Sequence, residues 1–235
     1  MIDTTNINII DIIAPIWFMT LWLGYSQFAD STKQKNLVNA MQKYRIYWIK
    51  NSIRRSERLV DTRIIESLLQ STTFLASTSI LIIGGLVAIL GYGEKALPII
   101  QSIPFADNTD TKMWITKTTL MLTIFIYSFF KFTWVIRQFN YALVLLLSAP
   151  QYNPDEKNLK NKIRNTHRCA EYVHKISTMT SNAGKHFNMG VRSYYFGLVA
   201  LSWYINSVLF IVMSILVVLV IYRREFISKT LTLLE

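Results

Sequence analysis

Four long apolar runs alternate with polar, basic segments along the 235-residue chain. The runs cover residues 7–28, 68–92, 114–148 and 195–222, and each has the roughly 20 mostly apolar residues that a membrane-crossing helix needs. The first run has no basic residues before it and no clean small-residue cleavage site after it, so we interpret it as a retained span. The pattern predicts an all-α integral membrane bundle of four transmembrane helices, in a single membrane domain over residues 1–235.

The polar segments between the runs are also predicted to be helical. Residues 36–66 contain no Gly or Pro and repeat apolar residues at helical spacing, so this helix is expected to run nearly unbroken into the second span. Residues 160–179 are predicted to form another helix, with Gly184 and Gly190 as a hinge before the last span. The loops 29–67 and 149–194 are therefore expected to be helical extensions of the bundle.

Basic residues cluster in these same two loops. Loop 29–67 has nine Lys and Arg against four acids, and loop 149–194 has eight against three, whereas loop 93–113 has two against three. The positive-inside rule then places both basic loops in the cytoplasm and the N-terminus outside, in the cell inner (plasma) membrane. It also places the C-terminal tail outside, although that tail begins with Arg223-Arg224. Anionic lipid headgroups, rather than nucleic acid, are the partners expected from a net charge of +11.

Cations lie inside the third apolar run. Lys117, Lys131 and Arg137 occur there, and no carboxylate follows before Asp155. On a helix, Lys117, Lys131 and Gln138 share one stripe, because steps of seven residues return to nearly the same face. A cation in an apolar helix is costly unless it is paired or hydrated.

These cations allow two interpretations. In the first, they snorkel to the membrane surface or pair with Asp61 or Glu66 near the cytoplasmic end of the second span. In the second, they line a polar cavity that attracts anions. The lining residues of that cavity would be Lys131, Arg137, Gln138 and Tyr141.

Small residues line one face of the second span. They are Ser77, Gly84, Gly85, Ala88 and Gly91. Small residues let membrane helices approach closely. We expect this face to pack against other helices of the same chain, with a subunit interface as the alternative.

No motif for catalysis or cofactor binding occurs in the chain. There is no nucleophile elbow, phosphate-binding loop or dinucleotide fingerprint. His167, Cys169 and His174 do not share one helical face, and a zinc site needs three or four converging ligands. We therefore expect no enzyme activity, no metal and no cofactor.

Several segments resemble one protein family, the domain of unknown function 599 family of membrane proteins. They are LWLGYSQFAD (21–30), RLVDTRIIESLLQSTTFLASTSILIIGGLVAILG (58–91), FFKFTWVIRQFNYALVLLLSAP (129–150) and HFNMGVRSYYFGL (186–198). The resemblance follows the family's order over nearly the whole chain. It implies a membrane protein of about four helices, and it supplies no catalytic residues because no activity is established for the family.

Two classes of function fit the sequence. The first is an oligomeric anion or small-solute pathway lined by the third helix, in which several subunits are needed because four short spans enclose little space. The second is a non-transporting membrane scaffold or lipid-binding subunit of a larger complex. The expected partners are membrane lipids, together with further copies of this chain or other membrane proteins.

Overall fold

The computed structural model describes residues 9–32, 36–92, 102, 110–153, 155 and 157–234. Of these residues 89% are helical and none lies in a strand, so the predicted all-α class is confirmed. Three parts of the predictions lie outside the described residues: the first two positions of the first span, most of loop 93–113, and positions 154 and 156 of loop 149–194.

Seven α-helices and one 3-10 turn make up the described chain. They are α1 Ile9–Ser31, α2 Leu37–Arg54, α3 Leu59–Gly91, α4 Thr111–Ser148, α5 Leu159–Ala200, the 3-10 turn Leu201–Tyr204, α6 Ser207–Phe226 and α7 Lys229–Leu233. Four segments are long and apolar enough to cross a membrane: α1, α3, α4 and Ser207–Leu233. The predicted class of multi-pass membrane protein is confirmed.

The first basic loop is not one unbroken helix with the second span. α2 ends at Arg54, Arg55 has an extended backbone (φ −76°, ψ 143°), and α3 begins at Leu59. The side chain of Arg58 explains the break. It donates hydrogen bonds to the carbonyls of Leu146, Ala149 and Pro150 at 2.7, 2.7 and 3.1 Å. The last carbonyls of a helix have no partner within it, so Arg58 caps the end of α4. Periodicity along the sequence cannot predict this cap, because the carbonyls belong to a distant helix.

The predicted hinge at Gly184 and Gly190 is also absent, because α5 passes through both positions without a break. Gly184 instead makes room for a neighbour. A Cβ atom at this position would lie 2.6 Å from the guanidinium of Arg45 on α2. The chain turns later, at Leu201–Tyr204, so the fourth predicted span begins at Ser207 rather than at Tyr195.

The chain forms two compact units, each built from three stretches. The aromatic unit comprises Met1–Gln34, Ser77–Phe129 and Met189–Arg224. The basic unit comprises Lys35–Ala76, Phe130–Asn188 and Glu225–Glu235, and it contains most of the 25 Lys and Arg residues. Helices α3, α4 and α5 contribute residues to both units.

Rings from three helices form the core of the aromatic unit. Phe18 of α1 contacts Phe196 of α5 edge-on at 5.5 Å and Phe210 of α6 at 4.9 Å, measured between ring centroids. Trp203 stacks on Phe210 at 5.1 Å. All four rings are fully buried, and aromatic pairs in such geometries contribute about 0.5–1.5 kcal/mol beyond the area they bury. The last third of α5 therefore packs as part of this core.

Aliphatic side chains form the core of the basic unit. Ile49 and Ile53 of α2 are buried in one cluster with Val135 and Leu146 of α4 and Ile176 of α5. The apolar face of α2 is thus used for packing, and its cations lie mostly on the other faces. Helix α2 begins at Asn36, whose side-chain oxygen accepts a hydrogen bond from the amide of Asn39 at 2.8 Å.

The C-terminal tail packs against α2. Helix α7 contacts α2, Leu231 is buried, and the Tyr44 hydroxyl donates a hydrogen bond to the carbonyl of Leu234 at 3.2 Å. Segments in direct contact within one unit lie on one side of a membrane. This contact favours the same side for the tail and the first basic loop, whereas the charge pattern predicts opposite sides.

The small-residue face of α3 does not pack within the described chain. Ser77, Gly84, Gly85, Ala88 and Gly91 are all exposed. A Cβ atom added at any of the three glycines would meet nothing within 4 Å. The expected packing within one chain is therefore wrong for this face, because the neighbouring helices contact the other sides of α3.

Replacing Gly84 by Leu should leave the stability of the single chain unchanged. The new side chain enters open space, and surface substitutions of this kind change the free energy of unfolding by less than about 0.5 kcal/mol. Gly197→Ala is the matched control, because its Cβ would lie 2.9 Å from the buried ring of Phe125. Such overpacking should cost about 1–3 kcal/mol. Thermal unfolding of both variants in detergent measures the difference, and equal losses would contradict the open face.

Candidate functional site

The predicted stripe on the third apolar helix, α4, faces the interior. Lys117 is 2% exposed, Gln138 is buried and Lys131 is half-buried. Arg137 and Tyr141, on the neighbouring face of the helix, are exposed. Three of the five candidate residues therefore face the interior, and two are exposed. Neither cavity found in the basic unit is lined by any of them.

Lys117 lies in a polar cluster at one end of the aromatic unit. Its Nζ is 5.7 Å from the ring centroid of Trp203, at a distance where a cation is attracted to the ring face. The indole of Trp203 donates to the Ser207 hydroxyl at 3.1 Å, and that hydroxyl is hydrogen-bonded to Asp11. The cluster joins the beginnings of α1, α4 and α6 to the end of α5.

A second polar cluster contains a buried ion pair that sequence reasoning missed. Arg192 of α5 is 2% exposed and lies 2.9 Å from the carboxylate of Asp30 at the end of α1. Its guanidinium is also 5.8 Å from the ring centroid of Tyr25. Because each residue lies just outside an apolar run, both were predicted to lie in loops. A signal was present, since Asp30 and Arg192 both lie within the segments that carry the family resemblance.

Asp61 has partners other than the expected cations. Its carboxylate is fully buried and accepts hydrogen bonds from Arg55 at 3.0 Å and from the indole of Trp48 at 2.7 Å. Glu66 is exposed. The buried carboxylate thus joins α2 to α3 across the bend between them. Arg55 was counted among the basic residues of the loop but was not identified as its partner.

An apolar groove opens on the basic unit between α2 and α5. Its volume is about 190 Å³, and most of its surface is apolar. The lining residues include Ile53, Tyr152, Cys169 and Val173, with Lys50 and Arg54 at its edge. The guanidinium of Arg54 lies 5.4 Å from the ring centroid of Tyr152. The groove therefore combines apolar walls with two cations.

Cys169 is the chain's only cysteine, and its thiol forms part of this groove. The Sγ atom donates to the side-chain oxygen of Asn165 at 3.2 Å. Burial raises the pKa of the Cys169 thiol, and the nearby Arg58 and Arg168 oppose the rise. His167 and His174 are exposed. Among the residues that the structure describes, no three His, Cys, Asp or Glu side chains converge as metal ligands.

The family model described as "Protein of unknown function, DUF599" matches residues 13–230. No curated protein and no solved structure matches the chain. The family match includes both polar clusters of the aromatic unit except Asp11, and it includes the whole lining of the apolar groove. The chain therefore belongs to the domain of unknown function 599 family, as the four resembling segments of its sequence predicted.

Proposed function

We propose that this membrane protein binds anionic phospholipid, with its basic unit at the cytoplasmic face of the cell inner membrane and its N-terminus outside. The apolar groove of the basic unit is the observation that carries this proposal. A lipid presents an acyl chain and a phosphate close together, and the groove presents apolar walls beside Lys50 and Arg54. This is a binding role rather than an enzymatic one, and nucleic acid is not the expected partner.

The surface of α2 supports the same role. Lys43 and Lys50 are exposed on this helix together with Tyr44, Ile46 and Tyr47. Helices that carry cations and large apolar residues on their surface lie well at a membrane interface. Each Lys or Arg near an anionic leaflet contributes about 1 kcal/mol of attraction at physiological ionic strength. The cations of α2 would therefore concentrate anionic lipid next to the groove.

Binding of lipid should protect Cys169 from alkylation. The full-length protein would be placed in phosphatidylcholine nanodiscs with or without phosphatidylglycerol, and the rate of reaction with N-ethylmaleimide measured at one pH. The pH must be fixed because the thiol pKa is raised and only the thiolate reacts. We expect phosphatidylglycerol to slow the reaction about tenfold when present at about ten times its dissociation constant.

The matched variants separate the groove from general basicity. Lys50→Gln with Arg54→Gln should abolish the protection, because both cations at the groove are removed. Lys160→Gln with Lys162→Gln removes the same charge from exposed positions at the start of α5 and should leave it intact. Equal alkylation rates in both lipid mixtures, in protein that elutes as one folded species, would exclude lipid binding in the groove.

A second candidate is an anion or small-solute pathway formed between copies of the chain. Its support is the exposed side of α4, where Arg137 and Tyr141 are available to a neighbouring subunit. The two candidates separate in liposomes of purified protein. Chloride flux that Lys131→Gln or Arg137→Gln lowers would favour the pathway. The lipid-binding role predicts no flux in any variant.

A further inference from the structure

A cation in the interior of the basic unit has unused hydrogen-bonding capacity. Arg45 of α2 points between the helices, and its Nη1 is buried with no hydrogen-bond partner among the described residues. Burying a charge without a partner is costly. Burial lowers the pKa of Arg45 from its usual value, in the direction expected where desolvation is not offset by a carboxylate.

The helix beneath Arg45 is shaped to hold its guanidinium. A Cβ atom at Gly184 of α5 would lie 2.6 Å from Nη2 and 2.8 Å from Nη1, closer than such atoms approach. Any other residue at this position would push the guanidinium aside. The glycine that the sequence suggested as a hinge therefore positions a cation.

A cavity of about 130 Å³ lies against this guanidinium. Its wall presents the hydroxyls of Ser71, Thr72 and Thr180 and the amide of Asn188. None of the described residues that line it is an acid. The space accommodates a group of several non-hydrogen atoms. The three hydroxyls already donate to carbonyls of their own helices, at 3.0 Å for Ser71, 2.7 Å for Thr72 and 2.9 Å for Thr180, so the Asn188 amide is the donor that this wall adds to Arg45.

Asp61, a candidate for an internal counter-charge, is already engaged. Trp48 lines the cavity and donates its indole hydrogen to Asp61. Both oxygens of that carboxylate accept hydrogen bonds from Arg55, at 3.0 and 3.2 Å. Asp61 thus neutralises Arg55, and the positive charge of Arg45 remains directed at the cavity.

We propose that Arg45 and this hydroxyl-lined cavity bind a phosphate group. A guanidinium forms two parallel hydrogen bonds to an oxyanion, and the side-chain amide of Asn188 supplies a further donor. The site shares no lining residue with the apolar groove, so it goes beyond the lipid binding proposed above. The phosphate has two possible sources, inorganic phosphate or the headgroup of an anionic lipid, and they bring the same chemistry.

Equilibrium binding to the purified full-length protein tests the site. One arm uses radiolabelled inorganic phosphate with protein in detergent. The other uses the unfolding temperature of protein in phosphatidylcholine nanodiscs, with or without phosphatidic acid. Saturable binding in either arm that depends on Arg45 supports the site and identifies the source. No binding in either arm by folded protein overturns it.

Three variants define the dependence. Arg45→Gln removes the charge, Arg45→Lys keeps the charge without the paired donors, and Gly184→Ala keeps Arg45 but displaces its guanidinium. Each should weaken binding at least about tenfold, equivalent to about 1.4 kcal/mol. Lys43→Gln is the control, since it removes one exposed charge from the same helix and should change affinity less than about twofold. Wild-type affinity in the three cavity variants would overturn the proposal.

The sign of the stability change distinguishes a ligand site from a structural arginine. Without phosphate, Arg45→Gln should unfold at the same or a higher temperature than wild type, because an unpaired buried charge has been removed. With ligand, only wild type and Lys43→Gln should gain stability. A large loss of stability in ligand-free Arg45→Gln with unchanged binding would show that Arg45 serves the fold alone. Lys50→Gln with Arg54→Gln should keep phosphate binding even if groove binding fails, which separates the two proposals.

Discussion

Cysteines placed at Asn39 and Thr232 should both be protected from a membrane-impermeant maleimide in intact cells, while a cysteine at Asn108 reacts. The background is Cys169→Ala, since Cys169 is the only native cysteine. Asn108 lies outside the described residues, and its side is inferred from the charge pattern alone. The difference is all-or-none, and disrupted cells, in which all three positions should react, provide the control.

We infer from contact within the basic unit that Asn39 and Thr232 share a side. Helix α7 packs on α2, and the Tyr44 hydroxyl is bonded to the Leu234 carbonyl. From Asn39 the chain crosses the membrane in α3 and returns in α4. A single further crossing in α6 would then leave the tail on the far side. One additional crossing is needed.

The last third of α5 is suited to supply it. At one end of the aromatic unit, Trp203 just after α5 is bonded to Ser207, which is bonded to Asp11 near the start of α1. At the other end, Arg192 within α5 pairs with Asp30 near the end of α1. The segment from Arg192 to Trp203 therefore runs alongside α1 in the opposite direction. We propose that it crosses with the four helices that length and hydropathy identify.

This arrangement also resolves the conflict in the charge pattern. With five crossings, Arg223-Arg224 lies on the same side as both basic loops, as the positive-inside rule prefers. Reaction at Thr232 in intact cells, with Asn39 protected, would show that α5 does not cross. Reaction at both positions, with Asn108 protected, would show that the whole topology is inverted.

Arg192→Met should cause the largest loss of stability of any single charge removal in the aromatic unit. Arg192 and Asp30 form an ion pair of 2.9 Å with the arginine almost completely buried. Removing one partner of a buried pair leaves the other charge uncompensated and typically costs about 3–5 kcal/mol. Denaturant or thermal unfolding in detergent micelles would measure this as a lowered free energy of unfolding.

Adding Asp30→Asn to Arg192→Met should recover a substantial part of that loss, because no charge then remains unpaired. Lys175→Gln is the matched control. This replacement breaks the ion pair between Lys175 and Glu171. The pair has a shorter separation of 2.5 Å, but both of its side chains are exposed to solvent. Exposed pairs contribute little, so no measurable change is expected there. If Arg192→Met and Lys175→Gln changed the free energy of unfolding equally, Arg192 would be hydrated rather than buried.

The sequence determined the class of the molecule because membrane insertion is decided locally. A run of about 20 apolar residues is enough to identify a span, and a cluster of Lys and Arg is enough to orient a loop. Helical class and four apolar spans were predicted and confirmed on this basis. That Lys117, Lys131 and Gln138 share one stripe of α4 likewise follows from helical periodicity.

Tertiary structure decided which charges meet, because pairing depends on distances that the chain order does not fix. Arg192 lies 162 positions from Asp30, and Asp61 is paired with Arg55 rather than with a cation of α4. Arg58 breaks the predicted helix because it caps carbonyls 88 to 92 positions away.

The same limit applies to Gly184 and to the charged residue in the last third of α5. A glycine at 184 predicts a hinge when only its neighbours in sequence are considered, but the guanidinium of Arg45 packs against it. The last third of α5 carries Arg192, whose cost in an apolar environment is offset by a carboxylate from another helix. Which segments are apolar enough for a membrane can be read from the order of the residues. Which polar residues are buried among these apolar helices is visible only in the folded chain, because their partners come from other helices.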